Sequence, residues 1–174
     1  SLKGEQVVIR EVMYHPPAGL HEFIEVENRT ATIYDIAQWK VRGAVDCDFP
    51  VYDSGNHESN FLKQWERVVI CGVDPATFRA DYGLPQSVRV LGPWPGSLAN
   101  AGDRLNIRDK NGATVCTLSY YDLRPWPLSA DGGGHSLVLD NDSYAIDDYR
   151  VWRASSSPGG TPGAGEPAAA EEPY

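Results

Sequence analysis

The stretch Arg104-Leu105-Asn106-Ile107-Arg108-Asp109-Lys110-Asn111-Gly112-Ala113-Thr114-Val115-Cys116-Thr117-Leu118-Ser119-Tyr120 decides the fold class. Leu105 and Ile107 alternate with polar neighbours, a period of two that belongs to a strand with one face buried. On the far side of Asp109-Lys110-Asn111-Gly112, Cys116, Leu118 and Tyr120 alternate in the same way. Asn-Gly supplies the positive φ that a tight turn needs at its centre, so the segment predicts an antiparallel hairpin.

Outward from this hairpin, the same reading recurs. Val7–Met13 is rich in β-branched residues, and Phe23–Glu27 places Ile24 and Val26 on one face with Phe23, Glu25 and Glu27 on the other. Further strands are predicted at Trp39–Arg42, Arg67–Cys71, Val88–Leu91 and Ser136–Leu139, separated by turn signals such as His15-Pro16-Pro17 and Gly92-Pro93. A single helix is predicted over Ala76–Tyr82. Asp74 can cap it, Pro75 suits its first turn and Gly83 its C-terminal end. Short strands, one small helix and frequent turn residues predict an all-β sandwich. Ala154–Tyr174 has no Val, Ile, Leu, Phe, Met or Trp and is built from Ala, Gly, Pro, Ser and Glu. It reads as a Pro/Gly-rich C-terminal tail or linker, giving a domain over 1–153 and a tail over 154–174.

Composition narrows the function. The chain has 174 residues, 41% hydrophobic and 22% charged, with 15 Lys+Arg against 24 Asp+Glu and a net charge of −9. Such an acidic chain lacks the cations that hold a phosphate backbone or an anionic lipid surface, so no nucleic-acid partner is expected. No apolar run approaches the roughly 18 residues of a membrane span. The chain starts at Ser1 without a charged and apolar leader, so any export signal is expected to have been removed already. Cys47, Cys71 and Cys116 contain no CxxC pair, which argues against structural zinc. They read as small buried apolar residues, with at most one disulfide among them.

Catalytic patterns fail one by one. His21-Glu22-Phe23-Ile24-Glu25 opens like a zinc-hydrolase signature, but Glu25 stands where the second histidine belongs and the segment alternates as a strand. Gly132-Gly133-Gly134 lacks the context of a phosphate loop, and Ser97 lacks the glycines of a nucleophile elbow. No histidine stands beside a nucleophile and an orienting acid. Glu25 and Glu27 lie about 7 Å apart on one strand face. With Glu11 they suggest either a solvated sheet face or, less simply, a hydrolase's acid/base pair or a cation site. Asp140, Asp142, Asp147 and Asp148 form an acidic turn whose functional version is an irregular calcium site. No other cofactor is expected. Aromatic residues carry the better binding signal. Trp94 and Trp126 sit in Pro-Trp-Pro loops with Tyr121 nearby, and either seal the ends of a sandwich or stack on a protein or polysaccharide. Trp39, inside a strand, is expected in the core.

The order of these pieces resembles the lamin-tail domain, especially its bacterial, secreted branch. Val8-Ile9-Arg10-Glu11-Val12-Met13-Tyr14-His15-Pro16 followed by Glu22-Phe23-Ile24-Glu25-Val26-Glu27-Asn28 is similar to that family's opening block. Trp39-Lys40-Val41-Arg42-Gly43 through Phe49-Pro50 is similar to its second. Gly96-Ser97-Leu98-Ala99-Asn100-Ala101-Gly102-Asp103-Arg104-Leu105 with Asp109-Lys110-Asn111-Gly112 is similar to its third. Trp152-Arg153 and Pro158-Gly159-Gly160-Thr161-Pro162-Gly163 look like the bacterial closing blocks. Gln64-Trp65-Glu66 departs from the pattern, replacing a Gly-rich turn. The resemblance implies an immunoglobulin-like β-sandwich and a non-catalytic module of an exported protein or surface assembly, with a protein partner, or a polysaccharide in an adhesion version.

Overall fold

Apolar and β-branched residues at Val7–Met13 form β1, the third strand of a six-stranded sheet ordered β12-β11-β1-β2-β7-β8. The other members are β2 (Phe23–Asn28), β7 (Arg67–Cys71), β8 (Arg89–Leu91), β11 (Leu137–Leu139) and β12 (Trp152–Ala154). A second sheet runs β10-β9-β4-β5, from β4 (Lys40–Gly43), β5 (Cys47–Asp48), β9 (Gly102–Arg108) and β10 (Thr114–Tyr121). A two-stranded pair joins β3 (Tyr34–Asp35) to β6 (Phe61–Leu62). The computed structural model describes residues 6–49, 61–139, 146 and 148–163. The architecture is the expected all-β, immunoglobulin-like sandwich.

The hairpin predicted from Asn111-Gly112 is β9–β10, paired from Tyr121↔Gly102 to Thr114↔Arg108. Asp109 Oδ1 accepts from the N–H groups of Asn111 (2.9 Å) and Ala113 (3.0 Å), which organises the turn. Helix α1 (Pro75–Tyr82) begins as predicted, with Asp74 accepting from Thr77 N–H and Gly83 ending it at φ 66°. It crosses from β7 to β8, which pair in parallel. Among the described residues no helix is long and apolar enough to cross a membrane.

Both faces of the six-stranded sheet are covered. Its inner face, with Ile9, Val12, Ile24, Val26, Val68 and Ile70, packs on Val41, Leu105, Ile107 and Leu118 of the second sheet. Trp39 lies in this core, with edge contacts to Tyr34 and Phe49 at ring-centroid distances of 6.2 and 6.3 Å. On the outer face Met13, Phe23, Val69, Cys71 and Val90 pack around Phe78 of α1. No disulfide joins Cys47, Cys71 and Cys116; the last two are buried and the first is half-buried.

The expected boundary between Arg153 and Ala154 falls inside β12, whose Ala154 pairs with Leu137. The segment that follows is part of the domain as far as Gly163. Ser155 N–H donates to Ser136 O (2.9 Å) and Gly159 N–H to Gly134 O (2.6 Å). It docks by backbone hydrogen bonds, a mode that needs no large apolar side chain.

Candidate functional site

The outer face of β1 and β2 carries the three glutamates. Ile9 pairs with Val26 and Glu11 with Glu25, so Arg10 is the extra residue of a β-bulge. A bulge re-aims side chains locally. Here it lets Arg10 reach Glu27 Oε2 with Nη1 (2.9 Å) beside the Glu11–Glu25 row. From β7, Arg67 Nε reaches the same Glu27 oxygen at 2.6 Å.

This face is not solvated, which corrects the simple reading of its alternation. Glu11 and Glu25 are buried, beneath the segment 158–163. Thr161 N–H donates to Glu11 Oε2 (2.8 Å), Thr161 Oγ1 to Glu11 Oε1 (3.1 Å) and Gly163 N–H to Glu25 Oε2 (2.8 Å). Ser136 Oγ adds a 2.7 Å donation to Glu11 Oε2. Gly160 passes directly over Glu11 at φ 73°, and a Cβ there would run into the Glu11 carboxylate and Ser136 Oγ. Burial, reinforced by the charge of Glu11, pushes the Glu25 carboxyl up to about 8, against the Gly163 N–H, Arg67 and Arg10. A hydrolase needs its carboxylates in a cleft. These are roofed by backbone, and the arrangement gives no substrate access to them.

Of the candidate calcium ligands, Asp140, Asp142 and Asp147 lie outside the described residues. Asp148 is committed elsewhere. Its side chain accepts from Arg150 N (2.9 Å) and from Arg150 Nη2 (2.6 Å), and these bonds pull its carboxyl down to about 2. Among the described residues no three His, Cys, Asp or Glu side chains converge on a cation position.

The aromatic candidates separate. Trp94 is 2% exposed and Trp126 6% exposed, so neither indole presents a face to a partner. Trp94 packs over Gly72, where a Cβ would come within 2.8 Å of its Nε1. Trp126 is flanked by Tyr121 and Trp152 at 6.1 and 6.5 Å. Both therefore close the sandwich ends, correcting their reading as a partner surface. Tyr121 is different, at 53% exposed. In the same loop stretch stand two residues that sequence reasoning passed over, Leu123 (70% exposed) and the exposed Leu128. Trp126 N–H donates to Leu123 O (3.0 Å), fixing this loop onto the buried indole.

Trp65 was also passed over as a site. It is 64% exposed and holds φ 60°, a conformation that side chains other than glycine rarely take. The turn is braced around it: Lys63 N–H and Arg89 Nη1 both donate to Glu66 Oε1, at 3.0 and 3.1 Å. The signal was the replacement of a Gly-rich turn by Gln64-Trp65-Glu66. A groove of about 460 Å³ beside it is lined by Glu66, Arg67, Ser87, Val88 and Gly163.

Comparison with curated proteins gives no match. The family model described as Lamin Tail Domain matches residues 2–122. Domains of that family are non-enzymatic, immunoglobulin-like and generally involved in protein interactions. With more than half its length matched and the sandwich in place, this chain belongs to the lamin tail domain family.

Proposed function

We propose that the chain is an interaction module of an exported bacterial protein or surface assembly, and that it docks a protein partner through the loop end at Tyr121, Leu123 and Leu128. One observation carries this reading. Six large apolar side chains are exposed among the described residues, and three of them, Tyr121, Leu123 and Leu128, fall within positions 121–128, with the Tyr121 ring against the buried Trp126 indole. Clustered exposed apolar groups on a rigid base are the usual mark of an interface core. The similarity of the closing blocks to the bacterial, secreted branch supports export. A polysaccharide partner is favoured by a different feature, Trp65 turned outward beside its groove, where an indole can stack on a sugar ring.

The test is capture from the native source with the intact chain and with a Tyr121→Ser/Leu123→Ser/Leu128→Ser variant, beside a glycan array run with and without calcium. A protein held by the intact chain and lost by the variant supports the reading. A protein held equally by both, or a glycan signal that Trp65→Gly removes, moves recognition away from the loop end.

A further inference from the structure

Glu11 and Glu25 face each other in the β1–β2 register, and both are buried. Like charges in facing positions repel, and burial removes the water that would screen them. Their surroundings differ. Glu11 accepts hydrogen bonds from Ser136 Oγ, Thr161 N–H and Thr161 Oγ1, donors that suit an ionised carboxylate. Glu25 accepts one from Gly163 N–H, while its Oε1 accepts none among the described residues. That oxygen lies 3.6 Å from Arg67 Nε and 3.9 Å from Arg10 Nε, and both guanidiniums place their short bonds on Glu27. Two further groups face the pair. Arg153 of β12 stands in the same register row beyond Val138, and Tyr82 of α1 donates its hydroxyl to His21 O.

We propose that Glu11 and Glu25 form a proton-gated catch for the segment Pro158–Gly163, closed while Glu25 carries a proton and opened when both carboxyls are ionised. The segment is suited to leave without unfolding the sandwich. It contains no large apolar side chain, so little apolar area is lost when it lifts, and local openings of this kind lie at the low end of a protein's stability range. Besides the Gly159 N–H bond to Gly134 O, Thr161 and Gly163 hold the sheet face by donating to the two carboxylates. Ionising Glu25 places a second buried charge beside Glu11 beneath them, a cost that outweighs the gain at the Gly163 N–H. The elevated titration of Glu25, caused first by burial and then by Glu11, makes opening easier as pH rises toward 8, where the dependence ends. Opening uncovers the acidic sheet face beside the Trp65 groove, of which Gly163 forms one wall. This device is independent of docking at the loop end.

The test is amide hydrogen exchange on the full chain by NMR from pH 6 to 9.5, each rate divided by its intrinsic rate. Protection at Thr161 and Gly163 is expected to fall by up to about tenfold per pH unit as pH rises toward 8, the limit for one coupled proton, and to level off above it. Val26 in β2 should keep its protection, and Glu25→Gln should flatten the profile at both strap amides. Flat wild-type profiles overturn the proposal, as does a decline shared with Val26 or one that persists in Glu25→Gln. If Glu25→Gln does not fold, the carboxyl carbon shift of Glu25 in the wild-type chain decides: titration complete below pH 6 overturns the catch.

Discussion

The Asn28 side chain holds the turn that carries Trp65. Its Nδ2 donates to Lys63 O (2.9 Å) and Leu62 O (3.2 Å), as well as to Thr32 O (2.7 Å). Its Oδ1 accepts from Thr30 N–H and Oγ1, and the residue is fully buried. One amide thus ties backbone and hydroxyl groups of two loops together.

Asn28→Ala removes the donor to the buried Leu62 O, a loss of about 1–3 kcal/mol, together with its bonds to the part-buried Thr32 and Lys63 carbonyls. The expected loss is about 2–4 kcal/mol in a urea titration. Asn28→Asp should be as damaging, because it turns a donor that faces three carbonyls into an acceptor. A change below about 1 kcal/mol for Asn28→Ala would show that water replaces the amide.

Trp65 makes the opposite prediction. Its positive φ costs roughly 1–3 kcal/mol in a residue that is not glycine. The indole is largely exposed and returns little packing. Trp65→Gly is therefore expected to leave stability unchanged or raise it by up to about 1 kcal/mol. A clear loss in the unfolding midpoint would mean that the indole packs on its neighbours in solution.

Trp39, Trp94 and Trp126 should behave as core residues. Trp39→Ala, Trp94→Ala and Trp126→Ala are each expected to lose about 3–5 kcal/mol. Tyr121→Ser and Leu123→Ser should stay within about 0.5–1 kcal/mol, since surface changes away from caps and buried polar groups are small. Denaturant midpoints for the five variants check the division. A stable Trp94→Ala would return that residue to the candidate partner surface.

These contrasts show what was legible in the sequence. Alternation at Phe23–Glu27 gave the right faces, and Asp74, Pro75 and Gly83 gave both ends of α1, because those signals are local. The cover over Glu11 and Glu25 was hidden. It comes from residues about 140 positions away in sequence that dock through backbone N–H groups and leave no apolar signature. Polar residues in a strand imply solvent only when nothing distant lies over them. The burial of Trp94 and Trp126 was hidden for a related reason, since loop composition does not reveal where a loop folds back. The two-residue strands β3, β5 and β6 are too short for any periodicity to register.

Gly160 tests the strap by shape alone. Alanine at φ 73° is strained, and its Cβ would meet Glu11 and Ser136, neither of which has room to retreat in a buried face. Gly160→Ala is expected to destabilise by about 2–3 kcal/mol, combining backbone strain with a displaced hydrogen bond. Thermal unfolding would register this as a drop of roughly 5–10 °C for a chain of this size. An unchanged midpoint, together with unchanged protease sensitivity at residues 158–163, would show that the strap contributes nothing to the fold.

The Glu25 carboxyl also sets a sign for stability against pH. In the unfolded chain a glutamate titrates near 4.3. In the folded chain burial and Glu11 push Glu25 up to about 8. Between these values the folded state binds the extra proton, so stability falls as pH rises, by at most about 1.4 kcal/mol per pH unit for one group. The contribution is fully present below about pH 4 and is lost as pH rises through 8. Glu22, pushed up to about 7 by burial against its bond from Leu98 N–H, acts in the same direction. Urea titrations from pH 5 to 9 should therefore show declining stability in the wild-type chain, a shallower slope in Glu25→Gln and a shallower one still with Glu22→Gln added. A profile flat over this range and unchanged in Glu25→Gln would mean that Arg10 and Arg67 outweigh burial and that Glu25 is ionised throughout.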